Sequence, residues 1–192
     1  VKGYKVKKTS ILSSYVAVDV ESISVDFMTK NLTESIGFRF CIQDLRADQQ
    51  LPVDASSVDL AICFELIEHL PHECGILLLN NLYTKLKSGA KLLLSSPNAN
   101  HGKKEREIYH GDNEWSFEEL DYELRSRFNV LSCQGMYLRR RTFERINTLS
   151  EELVSLVRMK FPPAWQRLIL AGPYPEHSEV VLWILQTNDE VI

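Results

Sequence analysis

Residues 58–70 read VDLAICFELIEHL. Val58, Leu60, Ala61, Ile62, Cys63 and Phe64 make a near-continuous apolar run interrupted only by Asp59, the pattern of a parallel strand covered on both faces. At Glu65 the run stops. Glu65, Glu68 and His69 stand at i, i+3 and i+4, so a strand passing directly into the first turn of a helix would put all three on one helical face. That face would lie at the carboxyl end of the strand, where open α/β sheets bind ligands. The acids also have a reading without a ligand, because carboxylates in a first helical turn complement the helix dipole.

Upstream, Tyr15 to Asp19 (YVAVD) is a short β-rich run ending in an acid, and Ile23, Phe27 and Met28 give a helical pattern over 22–32. Gly37 opens a second run, Phe38, Phe40 and Ile42, which also ends at an acid, Asp44. Residues 46–57 are polar, carry Pro52 and Asp54, and read as a loop.

Downstream, Pro71 interrupts the pattern, and Ile76, Leu78, Leu79, Leu82 and Leu86 mark a helix over about 72–86. Lys85 and Lys87 fall in its last turn, with Gly89 as the expected C′ residue. Ala90 to Leu94 is the next buried strand, broken by Ser95-Ser96-Pro97-Asn98. This alternation of strand and helix predicts a mostly parallel sheet with right-handed crossovers.

Residues 99–114 are polar and irregular, with His101, Lys103, Lys104, Arg106 and His110, and loops of that length are often functional. Ser116 and Glu119 form a capping-box pattern for a helix to about Arg127. Residues 129–138 read as a strand, and 179–187, with its VVLWIL core, as the last one. Between them lies an atypical segment, 139–178. Phe143, Ile146, Leu149, Leu153, Leu156 and Val157 repeat at helical spacing before Pro162-Pro163, which predicts two inserted helices. They either extend the core or form a lid. Arg139, Arg140 and Arg141 either meet an anionic substrate or are solvated surface.

The 192 residues are 44% hydrophobic and 25% charged, enough for a single domain over 1–192 with a sizeable core. A net charge of −4 gives no global attraction to nucleic acid, although a local basic patch is compatible with it. Cys41, Cys63, Cys74 and Cys133 are widely spaced, as core thiols are in a reducing compartment. No run approaches the roughly 18 apolar residues of a membrane span, and the N-terminal residues lack a signal core. The expectation is a cytoplasmic protein without a membrane partner.

The order of motifs over about 15–138 resembles the class I S-adenosylmethionine-dependent methyltransferases. LPVDASSVDLAICFELIEHL (51–70), followed by LKSGAKLLLSSPN (86–98), carries the resemblance most specifically. It implies a Rossmann-like, mostly parallel sheet with an antiparallel last strand, and S-adenosyl-L-methionine as cofactor. Asp19, with Val20 after it, then matches the acid that accepts hydrogen bonds from the cofactor's ribose hydroxyls. Asp44 and the Leu45 amide match the pair that reads adenine, with Asp48 as a competing acid. Phe64 and Glu65 would lie along the methionine portion. His69 or His110 would serve as base if the acceptor must lose a proton, the alternative for each being a structural histidine. The family's glycine-rich loop is absent from these residues. Gly3, 16 residues before Asp19, falls where the last glycine of that loop would stand, so the first strand is expected to be lacking.

A narrower resemblance is to the metal-dependent small-RNA 3′-terminal 2′-O-methyltransferases, through Glu65-Leu-Ile-Glu68-His69, Ser96-Pro97-Asn98 and the segment from His110 through Trp115. It implies a divalent cation held by glutamates and histidines, with nucleic acid as the methyl acceptor. His110 stands five residues before Trp115, one more than in that family. A further alternative is a catalytically impaired methyltransferase-like scaffold with a binding or regulatory role. A nicotinamide-dependent Rossmann enzyme shares the logic of Asp19 but does not account for the segment 65–70.

Overall fold

The computed structural model describes residues 13–20, 37–48, 50–99, 113–145 and 151–188. They divide into two compact units, Val1–Val53 and Asp54–Ile192. The expected helix over 22–32, Gly3, and the polar segment with His101, Lys103, Lys104, Arg106 and His110 lie outside the described residues.

In the first unit, strands β1 (Tyr15–Asp19) and β2 (Phe38–Ile42) form at the expected positions and pair in parallel, from Tyr15 opposite Phe38 to Asp19 opposite Ile42. Tyr15 and Phe38 stack with ring centroids 5.4 Å apart at the opening of the pair. Gly37 enters β2 with φ +60, where a β-carbon would stand 2.8 Å from the Ser13 carbonyl oxygen. Only glycine takes both that angle and that approach without strain. Beyond β2, the Gln43 amide donates to the Asp19 carbonyl at 2.8 Å, carrying the ladder one step further. The chain then turns, with the Ala47 and Asp48 amides donating to the Asp44 carbonyl at 3.0 and 2.9 Å.

The second unit is built on β3 (Val58–Phe64), α1 (His72–Lys85), β4 (Leu86–Pro97), α2 (Phe117–Arg125), β5 (Asn129–Leu138) and β6 (Ser178–Gln186). Its sheet runs β3-β4-β6-β5, with β3 and β4 parallel and β6 antiparallel to both of its neighbours, so the expected antiparallel last strand is present. Alternate residues of β6, Val181, Trp183 and Leu185, are buried, as are Leu92 and Leu94 of β4. Leu78, Leu79 and Leu82 of α1 and Leu120 and Leu124 of α2 complete the core. α2 starts with the capping box read from the sequence: Ser116 Oγ accepts from the Glu119 amide at 3.2 Å, and Glu119 Oε2 from the Ser116 amide at 2.9 Å.

Several expectations are corrected. β3 is not covered on both faces: Leu60, Ile62 and Phe64 are about half exposed, at 49%, 55% and 50%, while Cys63 between them is buried. Among the described residues β3 is the terminal strand of its sheet, and alternation sends every second side chain to the face that those residues leave open. No helix starts at Glu65. That residue has φ 48, a left-handed angle, followed by a single 3-10 turn, Ile67–His69, and α1 begins only after Pro71. Gly89 is not a helix C′ residue, because α1 gives way directly to extended backbone at Leu86; its φ of +70 sits inside β4. β4 also continues through Ser95 and Ser96 to Pro97, held by antiparallel pairing as far as Pro97 opposite Val180.

Between β5 and β6 the described residues hold α3 (Arg140–Arg145), α4 (Glu151–Lys160) and α5 (Pro163–Ala171), then a 3-10 turn, Pro175–His177; residues 146–150, between α3 and α4, lie outside the described residues. They share a satellite core of Leu138, Val154, Val157, Leu170 and Ala171, with Phe143, Leu153, Ile169 and Tyr174 packed against it. Gly135 lets α5 approach β5, since a β-carbon there would strike Ser178 Oγ and the Ala171 carbonyl.

Candidate functional site

Parallel pairing of β1 with β2 sets Asp19 opposite Ile42, two residues before Asp44, so the two acids come to the carboxyl ends of neighbouring strands. Val20, after Asp19, is 52% exposed, and Leu45, after Asp44, is buried. Asp44 is tightly engaged. Its Oδ1 accepts from the Arg46 amide and Nε at 2.9 Å each, and its Oδ2 from Arg46 Nη2 at 2.9 Å. The Arg46 side chain first, and then its amide, hold the Asp44 carboxyl down at about 2. Asp48 Oδ1 accepts from the Gln50 amide at 3.0 Å. A single carboxylate at a strand end can accept hydrogen bonds from both hydroxyls of a vicinal diol, the chemistry that a ribose would ask of Asp19. An adenine amine would have to share Asp44 with Arg46 or displace it.

In the second unit, the ends of β3 and β4 converge. The Glu65 amide donates to the Ser95 carbonyl at 3.1 Å, and Ser95 Oγ donates to Glu65 Oε1 at 2.7 Å. A non-glycine residue in a left-handed conformation is a local strain that the surroundings must sustain, and such strain gathers at functional sites. The Ser95 bonds sustain it here. Phe64 is half exposed beside it.

Glu68 does not share Glu65's face. It is 1% exposed, and its Oε2 has no hydrogen-bond partner among the described residues. Burial, with further repulsion from Glu65 and Glu114, pushes its carboxyl up to about 7. His69 projects outward, its Nε2 4.0 Å from Glu68 Oε1 and its side chain 54% exposed. Glu114 is itself buried, and its carbonyl lies 3.4 Å from His72 Nε2. His72 stacks on buried Trp115 with centroids 4.1 Å apart.

The Ser96-Pro97-Asn98 motif gives no sign in the sequence of what Asn98 does. Its Nδ2 donates to the Glu176 carbonyl at 3.0 Å, its Oδ1 accepts from the Phe117 amide at 3.1 Å, and Arg139 Nη2 donates to its carbonyl. Asn98 thus ties the end of β4 to α2 and to the approach to β6. Arg139, set beside a substrate-binding alternative in the sequence, is occupied with this tie. Arg46 and the His72–Trp115 stack also went unread, because an i, i+2 clamp and a long-range stack leave no periodic signal.

His110 lies outside the described residues. Among the described residues, no three His, Cys, Asp or Glu side chains are grouped to hold a metal ion. None of the four cysteines is in a disulfide, and burial pushes the thiols of Cys63 and Cys133 up to about 12. No helix among the described residues is long and apolar enough to cross a membrane.

Neither the protein-family models nor the curated protein sequences give a match. Solved structures do. The cyclase SpnF is similar at a TM-score of 0.59 and 13% identity, over 94% of this chain and 77% of SpnF. A SAM-dependent methyltransferase from Methanosarcina mazei is similar at 0.59 and 16% identity, over 92% of this chain and 83% of its own. An S-adenosylmethionine-dependent methyltransferase from Mesorhizobium loti gives 0.57 and 13%, over 91% and 80%. The chain therefore has the class I S-adenosylmethionine-dependent methyltransferase fold.

Proposed function

We propose that this protein is an S-adenosylmethionine-dependent methyltransferase. The observation that carries the reading is the placement of Asp19 and Asp44 at the carboxyl ends of two neighbouring parallel strands, in a chain with this fold. Asp19 would accept from the two ribose hydroxyls, with Val20 against the sugar. Asp44 and the Leu45 amide, or Asp48 in their place, would read the adenine edge. Phe64 and Glu65 would border the methionine portion. The cofactor supplies a sulfonium-activated methyl group, so the protein's main contribution is to hold the acceptor in line with it. Where the acceptor must lose a proton, His69, which is exposed, or His110 would take it.

On this reading residues 1–192 form one methyltransferase-like domain with 139–178 as an insertion, in a cytoplasmic protein with reduced thiols. A second reading, a binding or regulatory scaffold on the same fold, is favoured by one observation: Arg46 already fills both oxygens of Asp44.

Transfer of a tritiated methyl group from S-adenosylmethionine to small-molecule, protein and RNA fractions, with and without manganese, separates these readings. Label incorporated by the protein and lost in Asp19→Ala supports the enzyme. Cofactor binding without incorporation into any fraction supports the scaffold. Incorporation into RNA only with manganese would favour the metal-dependent reading.

A further inference from the structure

The turn between α4 and α5 exposes an unusual set of side chains. Leu156 and Met159 stand three apart on α4, at 52% and 72% exposure, while Val154 and Val157 on the opposite side of the helix are buried. Phe161 in the turn and Trp165 in the first turn of α5 are 44% and 58% exposed. Four large apolar side chains thus follow one another over ten residues, 156–165, at one end of a helical hairpin. Single exposed apolar residues need no explanation, but a contiguous set marks an interaction surface.

Part of the backbone of this turn is bonded from within. Pro162 and Pro163 have no amide hydrogen. The Phe161 amide donates to the Val157 carbonyl at 3.0 Å, and the Pro162 carbonyl accepts from the Trp165 and Gln166 amides at 2.9 and 3.2 Å. The Phe161 carbonyl accepts from Nε2 of Gln166 at 2.8 Å, from a side chain buried beneath the turn. Each backbone group of the turn that is already bonded lowers the cost of leaving water for a lipid headgroup layer.

Charge selects among the surfaces such a tip could meet. Exposed Arg158 and Lys160 flank Met159 in the last turn of α4, Arg158 also lying over the Phe143 ring at 5.6 Å. Glu151 and Glu152 stand at the other end of α4, about 15 Å away for a ten-residue helix. The cations therefore gather at the apolar end in a chain of net charge −4. Aromatic and aliphatic side chains interleaved with basic ones are the composition of a membrane-interface element, which lies on a bilayer and requires no spanning helix.

We propose that the α4–α5 turn, Leu156 to Trp165, is a docking surface for anionic lipid membranes. Met159, Phe161 and Trp165 enter the interface while Arg158 and Lys160 engage the headgroups.

Flotation of the full chain with phosphatidylcholine vesicles, with and without phosphatidylglycerol, tests this, with tryptophan emission read on the same samples. Trp115 and Trp183 are buried, so a blue shift reports Trp165. Flotation only with the anionic vesicles and a blue shift are expected. Met159→Asp, at a site 72% exposed where folding tolerates it, should abolish both, with circular dichroism confirming the fold. The double variant Arg158→Glu, Lys160→Glu should weaken partitioning by on the order of thirtyfold or more. Absence of flotation, equal binding to neutral vesicles, or flotation unchanged in Met159→Asp would overturn the proposal. So would a self-associated form, seen by sedimentation, that Met159→Asp disperses and that has no vesicle affinity.

Discussion

Glu68 shows what burial does to a group the sequence presents as one of an exposed trio. It is 1% exposed, and burial pushes its carboxyl up to about 7 from an ordinary 4.5. A folded-state value raised above the unfolded one means that the native protein holds its proton more tightly. The stabilisation is complete below pH 4.5 and is lost as pH rises to about 7, a decline of about 3 kcal/mol at most. Glu68→Gln should flatten that part of the stability–pH curve and leave the variant more stable than the parent at pH 8; denaturant titrations at pH 4, 6 and 8 read it directly. An unchanged slope would remove Glu68 as its source. The pattern Glu-x-x-Glu-His identified the right stretch but not the geometry. Reading all three residues onto one face assumed helical backbone at Glu65, whereas its left-handed φ and the short 3-10 turn send Glu68 inward and leave Glu65 and His69 outside.

Among the elements, local signals proved legible wherever local physics decides. The limits of β1, β2, β3 and β5 were readable from apolar runs and turn residues, and the start of α2 from its capping box. Ser116→Ala removes the hydroxyl that accepts from the Glu119 amide and should cost about 1 kcal/mol in a urea titration. A loss within error would mean that α2 is fixed by Leu120 and Leu124 packing alone. Features set by distant neighbours were not readable. The apolar run of β3 is compatible with burial on both faces, but which faces are covered depends on elements elsewhere in the chain. β4 passes through Ser95 and Ser96 because β6 pairs with it, overriding the low strand propensity of a Ser-Ser-Pro sequence. In the insert, Pro162-Pro163 marked the boundary between α4 and α5.

At the scale of the whole molecule, the succession of strands, acids and turn motifs sufficed to read a methyltransferase-like fold, and likeness to solved methyltransferases at TM-scores of 0.57 and 0.59 agrees with it. Those structures share only 16% and 13% of residues with this chain. A fold persists through such divergence because burial patterns and turns tolerate many residues, whereas a substrate pocket depends on individual side chains. That difference is why the acceptor was not legible. The cofactor site is accessible to experiment before the acceptor is known. Calorimetric titration of the chain with S-adenosylhomocysteine, alongside Asp19→Ala, measures it most directly. Micromolar binding that disappears in Asp19→Ala is the expected result; no heat at millimolar ligand, or undiminished binding by Asp19→Ala, would contradict a cofactor site built on the carboxyl end of β1.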